Sequence, residues 1–351
     1  MTKDYKNKLR QASRQLLRRG RRGLILLAIL LLGTALASFT LGKYLIPVTD
    51  VVKILISRFF PLEQTWTDQT EDVVLRLRLP RILLGCLVGG GLSGAGAAYQ
   101  GAFQNTMASP DLLGASAGAA FGAALAILLG GSSAGITASA FGFGLLTVGL
   151  TCTVGYRARG NRVLNLILSG IMMTSLLTAG TSYLKLIADP TDQLPAITYW
   201  LMGSLNNTRS ADLAFAAVPI SAGLLVLLLL RWRLNLLTLG DDAARAMGVN
   251  TDALRLAAAL SATLITASAV AVSGMIGWVG LVIPHLCRRL VGEDYRYLLP
   301  ASVLLGAAFL VLVDDAARCL TTSEIPIGIL TAVIGAPFFL YLILQKEDAP
   351  C

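Results

Sequence analysis

Charged residues and histidine are scarce in this sequence. Asp, Glu, Lys and Arg together make up 14% of its 351 residues, and His285 is the single histidine. A soluble domain contains about 25% charged residues, so this chain has too little polar surface to cover itself in water. Hydrophobic residues make up 55%, and several runs approach the roughly 20 residues that cross a bilayer as a helix. The composition therefore predicts an all-α, polytopic membrane protein.

The residue patterns of the common enzyme sites are also missing. The sequence has no Ser-His-Asp arrangement, no paired-carboxylate catalytic site and no cluster of metal ligands, and its five cysteines are scattered without zinc or disulfide spacing. It has no Walker A pattern of the form G-x-x-x-x-G-K-[ST]. We therefore expect no catalytic residue, no metal site and no cofactor here. If ATP and magnesium drive this protein, a separate ATPase subunit must bind them.

Apolar runs and turn signals predict about ten transmembrane helices in a compact bundle. Two of them, the third and the eighth, are short or interrupted. A longer polar segment, residues 47–79, separates the first two. The predicted spans are residues 24–46, 80–100, 112–130, 134–156, 163–187, 211–230, 254–272, 276–291, 299–318 and 327–344.

The net charge of +9 points to membrane topology rather than to nucleic acid. Nine of the 29 basic residues precede residue 23, as in tails that stay in the cytoplasm. With the N-terminus inside, 20 basic residues lie inside and nine outside, and an even number of spans places the C-terminus inside too. Residues 1–23 and 347–351 are then cytoplasmic tails around a transmembrane domain at 24–346. The nine outer residues are Lys43, Lys53, Arg58, Arg76, Arg78, Arg81, Lys185, Arg209 and Arg318.

Glycine is abundant, at 35 residues, and concentrates in apolar segments. Gly114, Gly118 and Gly122 recur every four residues and would share one face of a helix. Glycine-rich loops that bind phosphate need a Lys-Ser/Thr pair, which is missing here. We therefore expect these glycines to permit close packing between helices.

Several stretches, in order along the chain, resemble the permease subunits of type II ABC importers, which take up vitamin B12, haem and ferric siderophores. They are "LRLPRILLGCLVGGGLSGAGAAYQGAFQNTMASPDLLGASAGA", "YWLMGSL", "LGDDAARAMGV", "SGMIGWVGLVIPHLCRRLVGEDYRYLLPAS", "DDAAR" and "EIPIGILTAVIGAPFFLYLIL". The resemblance covers most of the chain after about residue 70. One departure is Asn105-Thr106-Met107, where the family usually has Asn-Pro-Leu.

The resemblance implies a multi-pass permease of a bacterial or archaeal plasma (inner) membrane. Its expected partners are a second copy of itself, two cytoplasmic ATPase subunits, an extracytoplasmic substrate-binding protein and the lipid bilayer. It would import a large iron chelate (ferric siderophore) or haem by alternating access at the homodimer interface. Cobalamin (vitamin B12) or an oxyanion is the alternative substrate. A secondary transporter or an integral membrane enzyme is the alternative from another class, although Asp and Glu lie only near span ends.

The resemblance also assigns roles to three groups of residues. It places binding-protein docking on the predicted outer side, at Arg78, Arg81 and Arg318. The alternative for Arg78 and Arg81 is contact with lipid headgroups or pairing with Glu71 and Asp72, and the alternative for Arg318 is pairing with Asp314 or Asp315. The ATPase-coupling residues lie in an inner loop at about 231–254, where two glycines bracket a short helix: Gly240, Asp241, Ala244, Arg245 and Gly248. Ordinary helix packing is the alternative for the pathway residues of the fifth span, which are Ser169, Met172, Met173 and Leu176.

Overall fold

A computed structural model describes residues 3–58, 60–61, 63–206 and 208–344, and in these residues all regular structure is helical. A π-helical segment, Val73–Arg78, joins α3 to α4, and a 3-10 turn, Pro110–Leu113, precedes α5. The α-helices are α1 (Lys3–Thr40), α2 (Val48–Ser57), α3 (Asp68–Asp72), α4 (Leu79–Ala102), α5 (Ala115–Leu128), α6 (Ser133–Arg157), α7 (Arg162–Ile187), α8 (Gln193–Met202), α9 (Ser210–Leu237), α10 (Asp241–Ala246), α11 (Thr251–Ser273), α12 (Val279–Val291), α13 (Tyr295–Cys319) and α14 (Ile327–Leu344).

Each of the ten predicted spans coincides with a helix, and the all-α prediction is confirmed for the described residues. Seven helical stretches are long and apolar enough to cross a membrane. They are Arg18–Thr40, Asp68–Ala102, Ser133–Arg157, Arg162–Ile187, Ser210–Leu237, Thr251–Ser273 and Tyr295–Cys319. The predicted tail 347–351 lies outside the described residues.

The predicted end of the first span at residue 46 is wrong. α1 ends at Thr40, and Gly42 then adopts a φ of +140°, which a residue with a side chain rarely takes. This turn directs the carbonyl groups of Phe39 and Tyr44 toward Arg78. The predicted segment 47–79 contains α2, α3 and the π-helical segment.

Helix α4 is the centre of the bundle and packs against α9, α11, α12 and α13. Its glycines allow the backbones to touch: a Cβ atom built on Gly96 would lie 1.8 Å from the carbonyl oxygen of Gly280 in α12. A Cβ atom on Gly89 would lie 2.3 Å from that of Gly306 in α13. The predicted role of glycine in close helix packing is confirmed at these crossings.

The glycine repeat of α5 serves two purposes. Gly118 and Gly122 face α6, where Cβ atoms would lie within 2.6 Å of the carbonyl oxygens of Phe143 and Ser139 respectively. Gly114 is not part of the helix: its φ of +83° makes the turn from which α5 begins.

Two of the helices that match predicted spans are half-length. Helices α5 and α12 have 14 and 13 residues, which at 1.5 Å per residue gives about 20 Å against a hydrocarbon core of about 30 Å. Each follows a segment that is not α-helical and that packs against another helix. Before α5, Pro110 of the 3-10 turn contacts Gly280 of α12; before α12, Trp278 contacts Gly335 of α14. The interrupted character predicted for the third and eighth spans is confirmed.

Hydrogen bonds between connecting segments define two ends of the bundle. At the end that we call the arginine end, Ile327 N donates to Gly203 O at 2.9 Å and Ser204 N donates to Ser273 O at 2.8 Å. At the opposite end, which carries α10 and which we call the coupling end, Asn235 Nδ2 donates to Asp294 Oδ1 at 2.8 Å. The two ends separate the residues that the sequence places outside from those that it places inside.

Candidate functional site

The three predicted docking arginines lie together at the arginine end. Arg78 ends the π-helical segment, Arg81 lies in the first turn of α4, and Arg318 lies in the last turn of α13. All three line one cavity of about 300 Å³. Pro80 has no N–H to donate to an ordinary α-helical turn, and the wider turn here brings Arg78 and Arg81 to the same cavity.

Arg81 is paired with two carboxylates. Its Nε and Nη2 atoms donate to Asp314 at 3.0 and 2.8 Å, and its Nη2 atom also donates to Glu324 at 2.9 Å. The side chains of Arg81 and Asp314 are almost fully buried. Such forked, charge-assisted bonds fix both partners in place.

Arg318 pairs with neighbours on its own helix. Its Nη2 atom donates to Asp315 and, at 2.8 Å, to Ser38 of α1, and its Nε atom lies 3.3 Å from Asp314. Ser38 donates in turn to Asp315 at 2.6 Å. Arg318 therefore contacts both carboxylates that the sequence offered as its alternative partners.

Arg78 differs because its guanidinium donates to main-chain carbonyls, those of Phe39 and Tyr44. It forms no ion pair within the described residues. Lys43 joins the three arginines in lining the cavity, so four cations stand against the carboxylates of Asp314, Asp315 and Glu324, and the cluster is net positive. Two other pairs, Arg58–Glu71 and Arg76–Asp72, lie apart from it, each 2.9 Å long.

At the coupling end, the predicted short helix is present as α10, between Gly240 and Gly248 with φ values of +100° and +80°. Asp241 anchors it to the bundle. The Asp241 carboxylate accepts from Arg255 Nη2 at 2.7 Å and from Gln104 Nε2 at 3.1 Å. Arg255 is 2% exposed and also donates to Ala102 O at 2.9 Å. These contacts tie α10 to the ends of α4 and α11.

The five predicted coupling residues divide by exposure. Ala244 is fully buried. A protein that binds at α10 would therefore contact the exposed residues next to Ala244, among them Arg245 and Met247. Arg245 donates to Thr251 Oγ1 at 3.1 Å. Gln104 and Arg255 are the residues that sequence reasoning missed. For Arg255, the signal in the sequence was a single arginine inside the apolar pattern "LRLAAAL", where a buried charge needs a partner.

The predicted pathway residues of α7 lie on different sides of that helix. Ser169 is buried, whereas Met172 and Leu176 are 68% and 65% exposed. None of the four lines the cavity of about 320 Å³ that α7 does line. That cavity instead has the side chains of Thr174, Thr178, Thr181, Ser182 and Lys185 on one wall, facing Asp111 and Ser116. The other four polar residues of α7 follow Thr174 by four, seven, eight and eleven residues. This spacing places them on one side of a helix and could have been recognised in the sequence.

The comparisons with known proteins agree with this architecture. The profile of the FecCD transport family matches residues 28–345. The molybdate import system permease protein MolB of Haemophilus influenzae is 42% identical over 322 residues, covering 92% of this chain and 95% of that protein. A permease protein assigned to an iron chelatin transport system of Helicobacter pylori is 41% identical over 275 residues, with 78% and 83% covered.

A solved structure shares the fold over nearly the whole chain. It is described as an inward-facing conformation of a transporter assigned to the metal-chelate ABC type. The TM-score is 0.82 at 40% sequence identity, with 92% of this chain and 99% of that chain covered.

Proposed function

Because this chain belongs to the FecCD transport family of ABC importer permeases, we propose that it crosses the inner membrane of a bacterium or archaeon ten times, with both termini in the cytoplasm. An extracytoplasmic binding protein delivers the solute to the arginine end. Two ATPase subunits bind at the coupling end and hydrolyse ATP with magnesium. The permease itself carries no catalytic residue.

The observation that carries this proposal is the placement of two different polar sites at opposite ends of one apolar bundle. The arginine end carries a net positive cluster, which suits an acidic protein partner because opposite charges speed encounter and fix register. The coupling end carries a short helix with an exposed face, held to the bundle by Asp241 and Arg255. Movement of α10 would therefore be transmitted directly to α4 and α11.

The polarity of the exposed helix faces supports a homodimer with its pathway beside α7. Away from the helix ends, the exposed residues of α1 are apolar, for example Leu26 and Leu32, and those of α9 are apolar apart from Ser221, as expected of surfaces in contact with lipid. Helix α7 instead exposes Thr178 and Ser182 among its apolar residues. Hydroxyl groups are better placed against a second protein chain or a polar pathway than against lipid tails. Met172 and Leu176 would then line the interface between the two copies.

For the substrate, we propose a large iron chelate (ferric siderophore) or haem, in line with the iron chelatin relative. An oxyanion is the second candidate. Two observations favour it: the identity with a molybdate permease, and the hydroxyl-lined cavity that contains Lys185. Cobalamin is a third possibility within the same family.

Transport by the reconstituted complex tests the proposal. The permease, its ATPase and its binding protein would be placed in liposomes and offered ferric siderophore, haem, cobalamin or molybdate. We expect ATP-dependent uptake of one class, abolished by an ATPase variant that cannot hydrolyse ATP. Uptake that runs on an ion gradient without ATP would contradict the proposal and indicate a secondary transporter.

A further inference from the structure

Among the nine basic residues predicted to lie outside, seven donate to or pair with oxygen atoms of the described chain. Besides the three buried arginines, Lys43 Nζ donates to Thr322 O at 2.8 Å and Lys53 Nζ donates to Thr65 Oγ1 at 3.1 Å. Two of the nine, Lys185 and Arg209, form no hydrogen bond or ion pair through their side chains in the described part of the chain. These two cations are therefore available to an external ligand without loss of an internal contact.

Arg209 immediately precedes α9 and is exposed. Its main-chain N–H donates to the Asp212 carboxylate at 3.0 Å, which caps the helix and leaves the guanidinium uncommitted. The side chain lines a cavity of about 460 Å³ together with Tyr199 and Trp200. Tyr199 is 70% exposed. Tyrosine, tryptophan and arginine are the residue types that contribute most of the binding energy at protein interfaces.

This cavity adjoins the one lined by the buried arginines. Asn206, Thr208 and Glu324 line both. Glu324 binds Arg81 from one side, and the Asn206 side chain reaches the same carboxylate from the other, 3.1 Å away when its amide is oriented to donate. The two cavities therefore form one groove across the arginine end, with Arg78 in one half and Arg209 in the other.

We propose that Arg209 is a second docking anchor, which binds a carboxylate of the extracytoplasmic binding protein while Tyr199 packs beside it. This inference rests on the proposed function and adds a residue to the docking surface. The energetic reason is the state of the other arginines. Arg81 and Arg318 must give up buried internal pairs before they can bind a new carboxylate, and breaking a buried pair is costly. Arg209 breaks none, and a guanidinium can hold a carboxylate with two parallel hydrogen bonds.

Binding of the purified cognate binding protein to the permease in lipid nanodiscs tests the proposal. Arg209→Glu is compared with Arg76→Glu, which makes the same charge change at an exposed residue outside the groove. Charge-assisted hydrogen bonds contribute about 1.5–3 kcal/mol, so we expect Arg209→Glu to weaken affinity by at least about tenfold, mainly through slower association at low salt. Arg76→Glu should stay within about twofold of the wild type. Arg209→Lys should bind with intermediate affinity.

Equal binding by Arg209→Glu and Arg76→Glu would overturn the proposal. If that equality came with loss of phospholipid phosphate that co-purifies with the wild type, Arg209 would be assigned to a lipid headgroup instead. Failure of the wild type to bind any binding protein would contradict the proposed function itself. An unchanged thermal midpoint of Arg209→Glu shows that a lost affinity is not a loss of fold.

Discussion

Arg81 joins three segments of the chain that are far apart in sequence. It begins α4, and its two carboxylate partners belong to α13 and to the connection between α13 and α14. The Asp314 side chain is only 4% exposed, so it depends on Arg81 and Arg318 for compensation of its charge. Arg81 is therefore a structural residue of the arginine end, whatever its part in docking.

Replacement of Arg81 by alanine should destabilise the permease strongly. Removing one partner of a buried ion pair leaves an uncompensated charge and costs about 3–5 kcal/mol. The control is Arg76→Ala, because Arg76 and Asp72 are mostly exposed and such pairs contribute at most about 1 kcal/mol. The thermal midpoint of both purified variants in detergent provides the measurement. Equal midpoints would show that the Asp314 charge is compensated in another way.

The sequence could predict that Arg78, Arg81 and Arg318 meet, but not how each is bound. Their grouping followed from the resemblance and from the charge distribution. Glu71 and Asp72 were the candidate partners of Arg81 because they are near in sequence, whereas the actual partners lie more than 230 residues away. Pairing over such distances depends on how helices cross, which no local pattern records.

At the level of helices, apolar runs predicted where each element lies, and glycine predicted close packing. The errors fall where the backbone does something other than continue a helix. Gly42 ends α1 six residues before the predicted end, and Gly114 begins α5 rather than packing within it. The cavity-lining side of α7 was also missed, because methionine was weighted above the stripe that starts at Thr174.

The crossing of α4 with α12 gives a test of glycine packing. Gly96→Ala should sharply reduce the thermal midpoint and the yield of folded protein, because its Cβ atom would overlap the Gly280 carbonyl and force the helices apart. Gly149→Ala is the control: Gly149 lies inside α6, and a Cβ atom there meets nothing within 4 Å. That variant should be neutral or up to about 1 kcal/mol more stable. Equal behaviour of the two would show that the crossing can open without loss of stability.

At the scale of the whole molecule, the distribution of burial divides the surface of the bundle. The span of α4 is 83% buried, whereas those of α1, α7 and α9 are 22%, 17% and 22% buried. A single copy thus leaves these three long helices less covered than the other four spans. All three are apolar enough to cross a membrane. Helix α7 differs from α1 and α9 because it carries several hydroxyl groups and Lys185 along a side that borders a cavity. A second copy that covers α7 would bury the exposed apolar residues of the same helix.

Cysteine cross-linking tests this arrangement. In a background without native cysteines, Leu176→Cys of α7 should link two copies through a short thiol-specific reagent in the membrane. Leu225→Cys of α9, which is exposed to a similar degree, should not, because it would face lipid. The covalent dimer is read on a denaturing gel, and it should form with and without the ATPase subunits. Cross-linking only through Leu225→Cys would place the interface on α9 and separate Met172 and Leu176 from the pathway.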